Sequence, residues 1–226
     1  MIADAHLIAR FCQMHRPSAW TPPAPEVREL QALVRRLEAL QEMRQMEDNR
    51  LQAGASTAAV LSSLHEHLQH LDAQIKQTRK QIADHIDQHP TLKRQKDLLV
   101  SIPGIAGATA AALLAELLDV SQFDRAAQVA AFAGLVPRIR QSGSSVRARP
   151  CLSKAGSPRL RRALYFPAMV ALRFNAPIKA LGERLAARGK SKMLILGAAM
   201  RKLLHLVFGI LKSGKPFDPN FSVARA

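Results

Sequence analysis

The sequence is poor in aromatic residues and in cysteine. Only 4% of its 226 residues are Phe, Trp or Tyr, and the abundance of Leu and Ala favours helices. Cys12 and Cys151 lie in neither a CxxC motif nor a Cys/His ligand spacing, which argues against a zinc site of that type and a disulfide framework. No basic-then-apolar signal peptide opens the chain, and the longest apolar run, residues 193–200, is too short to span a bilayer. We therefore expect a helical, cytoplasmic protein without membrane contact.

Acidic residues are missing from a long part of the C-terminal half. Residues 125–179 contain eleven Lys and Arg and no Asp or Glu. Residues 1–100 carry thirteen basic and twelve acidic side chains, whereas residues 101–226 carry twenty and five, so nearly all of the net charge of +16 lies in the second half. A field of this strength attracts nucleic acid before any specific contact forms. An anionic membrane would match the charge too, but no helix shows the broad apolar face that such binding needs.

Two segments with apolar seams follow a proline-rich break at residues 21–25. Residues 26–51 repeat Val and Leu at helical spacing, and Gly54 marks a turn. The second seam alternates steps of three and four until Pro90 and consists of Leu61, Leu64, Leu68, Leu71, Ile75, Thr78 and Ile82. This pattern predicts an antiparallel coiled-coil hairpin with arms of about 40 Å, typical of a spacer or of a self-association device.

Histidines are frequent on the predicted hairpin. His85 and His89 are four residues apart and could share a metal ion, but neither has an acidic or thiol partner in a ligand spacing. We expect them to be solvated histidines on a helix surface.

Residues 98–118, LLVSIPGIAGATAAALLAELL, join an apolar helix end to an alanine-rich helix through two glycines, Gly104 and Gly107. The pattern resembles a helix-hairpin-helix module, in which glycines let backbone amides face a DNA phosphate. Ala106 departs from the usual Pro-Gly-hydrophobic-Gly order. A hairpin that only packs against a neighbouring part of the protein therefore stays open as an alternative.

A serine cluster lies inside the acid-free region, and a helix start at Ser157-Pro158 follows it. Hydroxyls among unpaired guanidinium groups suit a polyanion, because the planar fork of Arg matches phosphate oxygens. A solvated basic loop beside a helix cap is the alternative. The candidate DNA- or RNA-binding side chains are Arg138, Arg140, Ser144, Ser145, Arg147, Arg149, Lys154, Arg159, Arg161 and Arg162.

Together these segments predict a mainly α fold. A long antiparallel coiled-coil hairpin occupies residues 25–90. A compact helical domain follows over residues 91–219 and contains the helix-hairpin-helix-like motif and the serine loop. Residues 220–226 form a loose tail.

Four stretches carry a resemblance to a known family. In order, LLVSIPGIAGATAAALLAEL, FDRAAQVAAFAGLVPR, SGSSVRARPCLSKAGSPRLRRALYFPAMVAL and MRKLLHLVFGILKSGKPFDP together resemble the C-terminal transposase domain of the insertion sequence 110 (116/902) family. The stretch ADAHLIARFCQMHRPSAWTPP and the hairpin resemble the segment before that domain. The resemblance implies a DNA transposase that cuts and rejoins DNA, with Ser142 as nucleophile and a covalent phosphoserine–DNA intermediate.

The resemblance also implies a metal site and partners. Family members have an N-terminal RuvC-like domain whose four acidic residues bind Mg²⁺. Asp4-Ala5 matches the end of its Asp-x-x-Asp-Ala motif, whereas the preceding Asp falls on Met1 and the other two acids have no counterpart. We therefore interpret residues 1–24 as a remnant of the end of that domain and a linker, and expect the chain alone not to hold Mg²⁺ stably. The implied partners are DNA, a structured bridge RNA and, through the coiled coil, further copies of the protein.

Two other functions are compatible with the residues. The chain could be a non-catalytic DNA- or RNA-binding remnant that keeps the same basic surface. It could also be an assembly protein that works through the coiled coil alone.

Overall fold

The computed structural model describes residues 2–16, 21–54, 57–138, 141–142, 146–147 and 151–219, with the backbone only at 2–3, 141–142 and 146–147. Within these residues the fold is mainly helical, as predicted. The helices are α1 (Ile2–His15), α2 (Pro25–Gln52), α3 (Ala58–Gln88), α4 (Pro90–Val100), α5 (Gly107–Leu117), α6 (Ala126–Phe132), α7 (Pro158–Phe174), α8 (Ala176–Ala187) and α9 (Lys192–Ser213). The strands are β1 (Pro137–Arg138), β2 (Gln141–Ser142), β3 (Val146–Arg147) and β4 (Cys151–Leu152). The predicted loose tail, 220–226, lies outside the described residues.

Local sequence signals explain most helix ends. Ser157, Asn175 and Ser191 each accept a hydrogen bond from a backbone amide of the first turn, at the starts of α7, α8 and α9. Proline, whose fixed φ suits the first turn, begins α2, α4 and α7. Gly214 ends α9 in the left-handed conformation at φ 66°. The predicted helix start at Ser157-Pro158 is thereby confirmed.

Helices α2 and α3 pack antiparallel against each other and form an arm. Arg44 Nε donates to Asp72 Oδ1 at 2.6 Å, while near the other end of α2 the His85 ring of α3 reaches the Glu26 carbonyl oxygen at 2.8 Å. The predicted seam lies inside the arm, because Leu68, Leu71, Ile75, Thr78 and Ile82 are buried. Five of the seven predicted seam residues are therefore buried, whereas Leu61 and Leu64 near the start of α3 are half-buried.

The arm has two separate apolar clusters. Leu30, Val34, Ile82 and Ile86, at its base, belong to the large core formed with α4 to α9. Farther out, a small cluster consists of Leu40, Leu71 and Ile75, flanked by Leu37 and Met43. The base of the arm is thus part of the main core.

The expectation that the histidines of the arm are solvated is wrong for His85. Its side chain is buried, its Nε2–H donates to the Glu26 carbonyl, and its Nδ1 lies 3.8 Å from Glu29 Oε2. The His89 ring is 4.4 Å away, and its Nδ1 donates to the His85 carbonyl. Both rings are therefore held by backbone carbonyl oxygens at the junction of α3 and α4.

Helix α9 is the central core helix and packs against α4, α6, α7 and α8. It is also long and apolar enough to span a membrane, with a mean hydropathy of 1.8 over its best 18-residue window. The sequence-based expectation of no such segment is wrong on this criterion, because the helix continues past Arg201 and Lys202. Half of that window is buried inside the protein, which a core helix also shows.

The α4–α5 connection, residues 101–106, is anchored on α7 and α8. Ile102 and Ile105 are buried, and the Asn175 amide donates to the Pro103 carbonyl at 3.5 Å. Gly104 has φ 108°, and a Cβ there would lie 2.9 Å from the carbonyl oxygen of Pro167 in α7. Gly107 faces open space. One of the two glycines therefore allows close packing, whereas the other is accessible.

Replacing Gly104 by alanine should destabilise the fold, because the new Cβ meets both a left-handed backbone and the Pro167 carbonyl. We expect Gly104→Ala to lower the free energy of unfolding by about 1–3 kcal/mol, measured by urea denaturation. Gly107→Ala is the matched control, with a stability unchanged or raised by up to about 1 kcal/mol. Equal effects of the two substitutions would contradict this account.

His205 gives the stability a pH dependence. Its Nε2 is buried with no hydrogen-bond partner among the described residues. Burial lowers the pKa of His205 below its ordinary value of 6.5, and the charges of Arg201 and Lys202 lower it further. The unfolded chain therefore binds a proton at a higher pH than the folded protein does.

The stability that depends on a neutral His205 should be complete above a pH of about 6.5. The free energy of unfolding should decrease as the pH falls through that value towards the lower pKa of His205 in the folded protein. His205→Leu should make the free energy of unfolding less sensitive to pH over this interval, measured by urea denaturation. His65→Gln, at an exposed position on α3, controls for the loss of an imidazole. Parallel pH profiles for the wild type and His205→Leu would exclude the effect.

Candidate nucleic-acid interface

The predicted serine loop contains two short antiparallel strand pairs. β1 pairs with β4, so that Pro137 lies opposite Leu152. β2 pairs with β3, and Ser142 lies opposite Val146. We call these two strand pairs, residues 137–138 with 151–152 and 141–142 with 146–147, the serine ribbon. Three residues of the sequence connect Ser142 to its partner Val146.

Backbone hydrogen bonds join the base of the serine ribbon to α6 and α7. The Ser153 amide donates to the Val136 carbonyl at 2.8 Å, and the Lys154 amide donates to the Gly134 carbonyl at 3.1 Å. The Ser157 amide donates to the Phe132 carbonyl at 2.8 Å. The ribbon therefore leaves and re-enters the helical core at one place.

Close backbone contact at this place requires glycine. Gly134 has φ 68°, and a Cβ there would lie 2.6 Å from Arg161 Nη1. Gly156 has φ 136°, and a Cβ there would collide with the Phe132 carbonyl oxygen. Lys154 also takes a positive φ, 56°, although it has a side chain. Gly134 takes the left-handed conformation common after a helix end, and it closes the base of the ribbon as well as ending α6.

Arg161 holds the same junction through its side chain. Its Nη1 donates to the Ala133 carbonyl at 2.8 Å and to the Gly156 carbonyl at 3.2 Å. One guanidinium nitrogen thus connects the end of α6 to the turn before α7. This arginine has a structural task as well as its predicted contact with nucleic acid.

Two more arginines of α7 have acidic partners, so the prediction that they are unpaired is wrong. Arg159 Nε donates to Glu38 Oε2 at 3.0 Å, and Arg162 Nη1 donates to Glu42 Oε1 at 2.8 Å. The acids come from α2, about 120 residues earlier in the chain. Residues 125–179 contain no acidic side chain, but α7 has acidic neighbours in space, because the arm supplies the carboxylates.

A buried carboxylate lies behind the base of the ribbon. Glu116, in α5, has a side chain that is only 10% exposed. Its Oε2 accepts a hydrogen bond from the Ser157 hydroxyl at 3.2 Å, and its Oε1 has no hydrogen-bond partner among the described residues, although Arg35 Nε lies 3.7 Å away. The carboxylate thus contacts α7 directly and α2 at ion-pair distance.

The structure describes the side chains of some predicted site residues and not of others. Arg138 and Lys154 are exposed at the base of the serine ribbon, and Arg159, Arg161 and Arg162 lie on the adjoining helix α7. Ser142 and Arg147 are placed in strands by their backbone alone. Arg140, Ser144, Ser145 and Arg149 lie outside the described residues. Gly104 faces α7, and Gly107 lies at the open start of α5.

Comparison with known proteins decides the family. The Transposase IS116/IS110/IS902 family profile matches residues 96–183, which include the serine ribbon and all of α7. Proteins named "Pilin gene-inverting protein" from Moraxella bovis and Moraxella lacunata are each 33% identical over 216 residues, covering 95% of this chain and 66% of the relative. The chain belongs to the IS116/IS110/IS902 transposase family.

A more distant member shares the same region. The "Insertion element IS110 uncharacterized 43.6 kDa protein" of Streptomyces coelicolor is 30% identical over 163 residues, which are 72% of this chain and 37% of that protein. The chain thus spans about two-thirds of the length of the Moraxella proteins and less of the Streptomyces one.

The magnesium site implied by the family resemblance does not fit the residues that the structure describes. Among them, no three His, Cys, Asp or Glu side chains come close enough to hold a metal ion. Asp4 lies on α1, where it is exposed. We therefore derive no chemical step that uses a metal ion bound by this chain.

The sequence alone did not indicate that acidic residues of α2 and α5 contact the basic segment at residues 125–179. Glu38 and Glu42 looked like ordinary solvated charges on the arm, because nothing local indicates a partner so far along the chain. Glu116 had a visible signal, since it is the one charged residue in the apolar helix GATAAALLAEL. A lone carboxylate in such a helix is buried when a donor from another element reaches it.

Removal of the Ser157 hydroxyl should cost more than the loss of an ordinary helix cap. Ser157→Ala removes the cap of α7, about 1 kcal/mol, and also leaves Glu116 without its hydroxyl donor, about 1–3 kcal/mol more. Ser191→Ala, which removes only the cap of α9, should cost about 1 kcal/mol. Thermal and urea unfolding measure both. Equal losses would show that the contact with Glu116 contributes nothing.

Proposed function

We propose that the chain is a DNA transposase or recombinase subunit that cuts and rejoins DNA through the hydroxyl of Ser142. Membership of a transposase family supports the reaction class, and the names of the two Moraxella relatives describe the inversion of a gene. The observation that supports the proposal is the pairing of Ser142 with Val146 in a segment whose flanking residues are hydrogen-bonded to the end of α6 and the turn before α7.

The proposed chemistry is the exchange of one phosphate ester for another. The Ser142 oxygen attacks a DNA phosphorus atom, a new Oγ–P bond forms, and the bond from phosphorus to a bridging deoxyribose oxygen breaks. The serine proton leaves to solvent or to a base, and the released oxygen takes up a proton as a hydroxyl group. The covalent phosphoserine–DNA intermediate keeps the energy of the broken bond, so the strand can be rejoined without an external energy source.

Cationic side chains would contribute most of the rate by neutralising the non-bridging oxygens. Arg138 and Lys154 are exposed beside the ribbon base. Arg162 pairs with the exposed Glu42, and such pairs contribute only about 0–1 kcal/mol, so a phosphate can replace this carboxylate. Arg159 pairs with Glu38, whose side chain is 24% exposed, and we assign it the same exchange. We assign Arg140, Arg147 and Arg149 the same role and assign Ser144 and Ser145 hydrogen bonds to phosphate oxygens.

The remaining elements fit the architecture of such a subunit. We propose that residues 25–90 form a coiled coil that separates or joins copies of the protein, and that residues 91–219 form the transposase domain. Helices α4 and α5 serve as a helix-hairpin-helix-like unit in which the accessible Gly107, rather than the packed Gly104, faces a DNA phosphate. DNA and a structured bridge RNA are the proposed nucleic-acid partners, and a RuvC-like domain with its own acids would supply Mg²⁺.

A nicked suicide DNA substrate tests the proposal. The chain, supplied with the RuvC-like domain of a family member and its bridge RNA, should form a covalent protein–DNA adduct that survives denaturing electrophoresis. Ser142→Ala should abolish the adduct, whereas Ser144→Ala, two residues away, should retain it. An adduct formed by Ser142→Ala would rule out this nucleophile.

The same experiment separates the two alternative functions. Absence of an adduct in every variant, with DNA binding that weakens steeply as salt rises, would favour a non-catalytic nucleic-acid-binding remnant. A dimer that does not bind DNA at moderate salt would favour an assembly protein.

A further inference from the structure

Helix α7 exposes an apolar and aromatic face that the proposed reaction does not use. Two rows of side chains run along it at intervals of four residues. Phe166, Val170 and Phe174 form one row, with both phenyl rings 71% exposed. Tyr165 and Met169 begin the second row, which ends at the exposed Arg173. We call these two rows the α7 stripe.

The α7 stripe concentrates the aromatic residues of an aromatic-poor chain. It contains three of the ten Phe, Tyr and Trp residues of the sequence. The Tyr165 and Phe166 rings meet edge to face, with centroids 5.3 Å apart and an interplanar angle of 86°. Exposed aromatic rings in such numbers indicate a binding surface, because single exposed apolar residues are common but a continuous patch is not.

Every charged residue of α7 is an arginine, which favours an anionic partner. Arg162 lies one turn before Phe166, and Arg173 lies beside Phe174, so the stripe has a guanidinium group at each end. Helix α7 has no acidic residue of its own, and the acids that reach its first turn already pair with Arg159 and Arg162. Aromatic rings between cations are the arrangement by which proteins stack the bases and neutralise the phosphates of a single strand.

A second copy of the chain is a poorer occupant of this surface. Each row spans nine residues, with its ends about 12 Å apart, on a helix about 10 Å wide. A stable interface buries about 800 Å² on each partner. A symmetric contact between two α7 helices would also bring their arginines together, and the like charges would repel. The size suits about three or four stacked bases at about 3.4 Å each.

We propose that the α7 stripe binds single-stranded DNA, with bases stacked on Phe166 and Phe174 and with phosphates beside Arg162 and Arg173. The stripe begins two turns after the start of α7, the helix that follows the base of the serine ribbon. The inference rests on the proposed function only for the source of this strand, because the binding itself does not need Ser142.

Fluorescence anisotropy with labelled DNA tests the site on the full chain. The probe is an oligothymidine of about 12 nucleotides, longer than the stripe can hold. Phe166→Ala and Phe174→Ala should each weaken binding by about 5-fold or more, whereas Phe11→Ala, at a phenyl ring 51% exposed on α1, should not. Unchanged affinity in both α7 variants would refute the site.

Leucine variants and modified strands identify stacking as the cause. Phe166→Leu and Phe174→Leu keep the apolar surface but lose the ring, so they should bind as weakly as the alanine variants. An abasic strand or a duplex of the same length should be insensitive to all four substitutions. Full affinity of the leucine variants would overturn base stacking. A loss confined to an oligouridine probe would assign the surface to RNA and overturn the proposal for DNA.

Two controls separate this inference from its alternatives and from the proposed function. Sedimentation equilibrium should give the same oligomeric state for the wild type and Phe166→Ala. If Phe166→Ala dissociated an oligomer but kept its affinity for DNA, the stripe would be assigned to a second copy of the chain instead. Ser142→Ala should bind the single strand as tightly as the wild type. A failed adduct experiment would thus leave the α7 result intact, and a failed α7 result would leave Ser142 as nucleophile.

Discussion

The position of the candidate site depends on the close approach of two backbone segments at the base of the serine ribbon. The end of α6 and the turn before α7 lie so near each other that Gly156 has no room for a Cβ against the Phe132 carbonyl. Gly134 provides the matching reversal, and Arg161 closes the gap from the side. These contacts fix the residues at which the serine ribbon leaves and re-enters the helical core.

The arm balances the charge of this region. Without Glu38 and Glu42, the first turns of α7 would hold three arginines close together with no counter-charge, which opposes compact folding. Ion pairs near the surface stabilise the fold weakly, so they connect α7 to α2 without fixing the arginines permanently, and in the proposed function a phosphate takes the place of each carboxylate. Glu116 differs, because a buried carboxylate cannot be released to solvent and therefore acts as a permanent part of the junction.

Local signals made much of the fold predictable. The helical spacing of α3 and the cap and proline at Ser157-Pro158 depend on residues a few positions apart, and both helices are found in the structure. The candidate site was less predictable, because its partners are distant in the chain. The pairing of Arg159 with Glu38 and the burial of His85 under the start of α2 depend on how the arm folds back, which no local pattern records.

The two apolar clusters of the arm make its outer part mechanically separate from the main core. Leu37 packs against both clusters, and the small outer cluster consists of Leu40, Leu71 and Ile75 with Met43, while Leu68 is buried still farther out. The outer half can therefore bend or open at a lower free energy than the whole protein. One more heptad in each helix would therefore move the tip of the arm about 10 Å farther from the core and would leave the base of the arm unchanged.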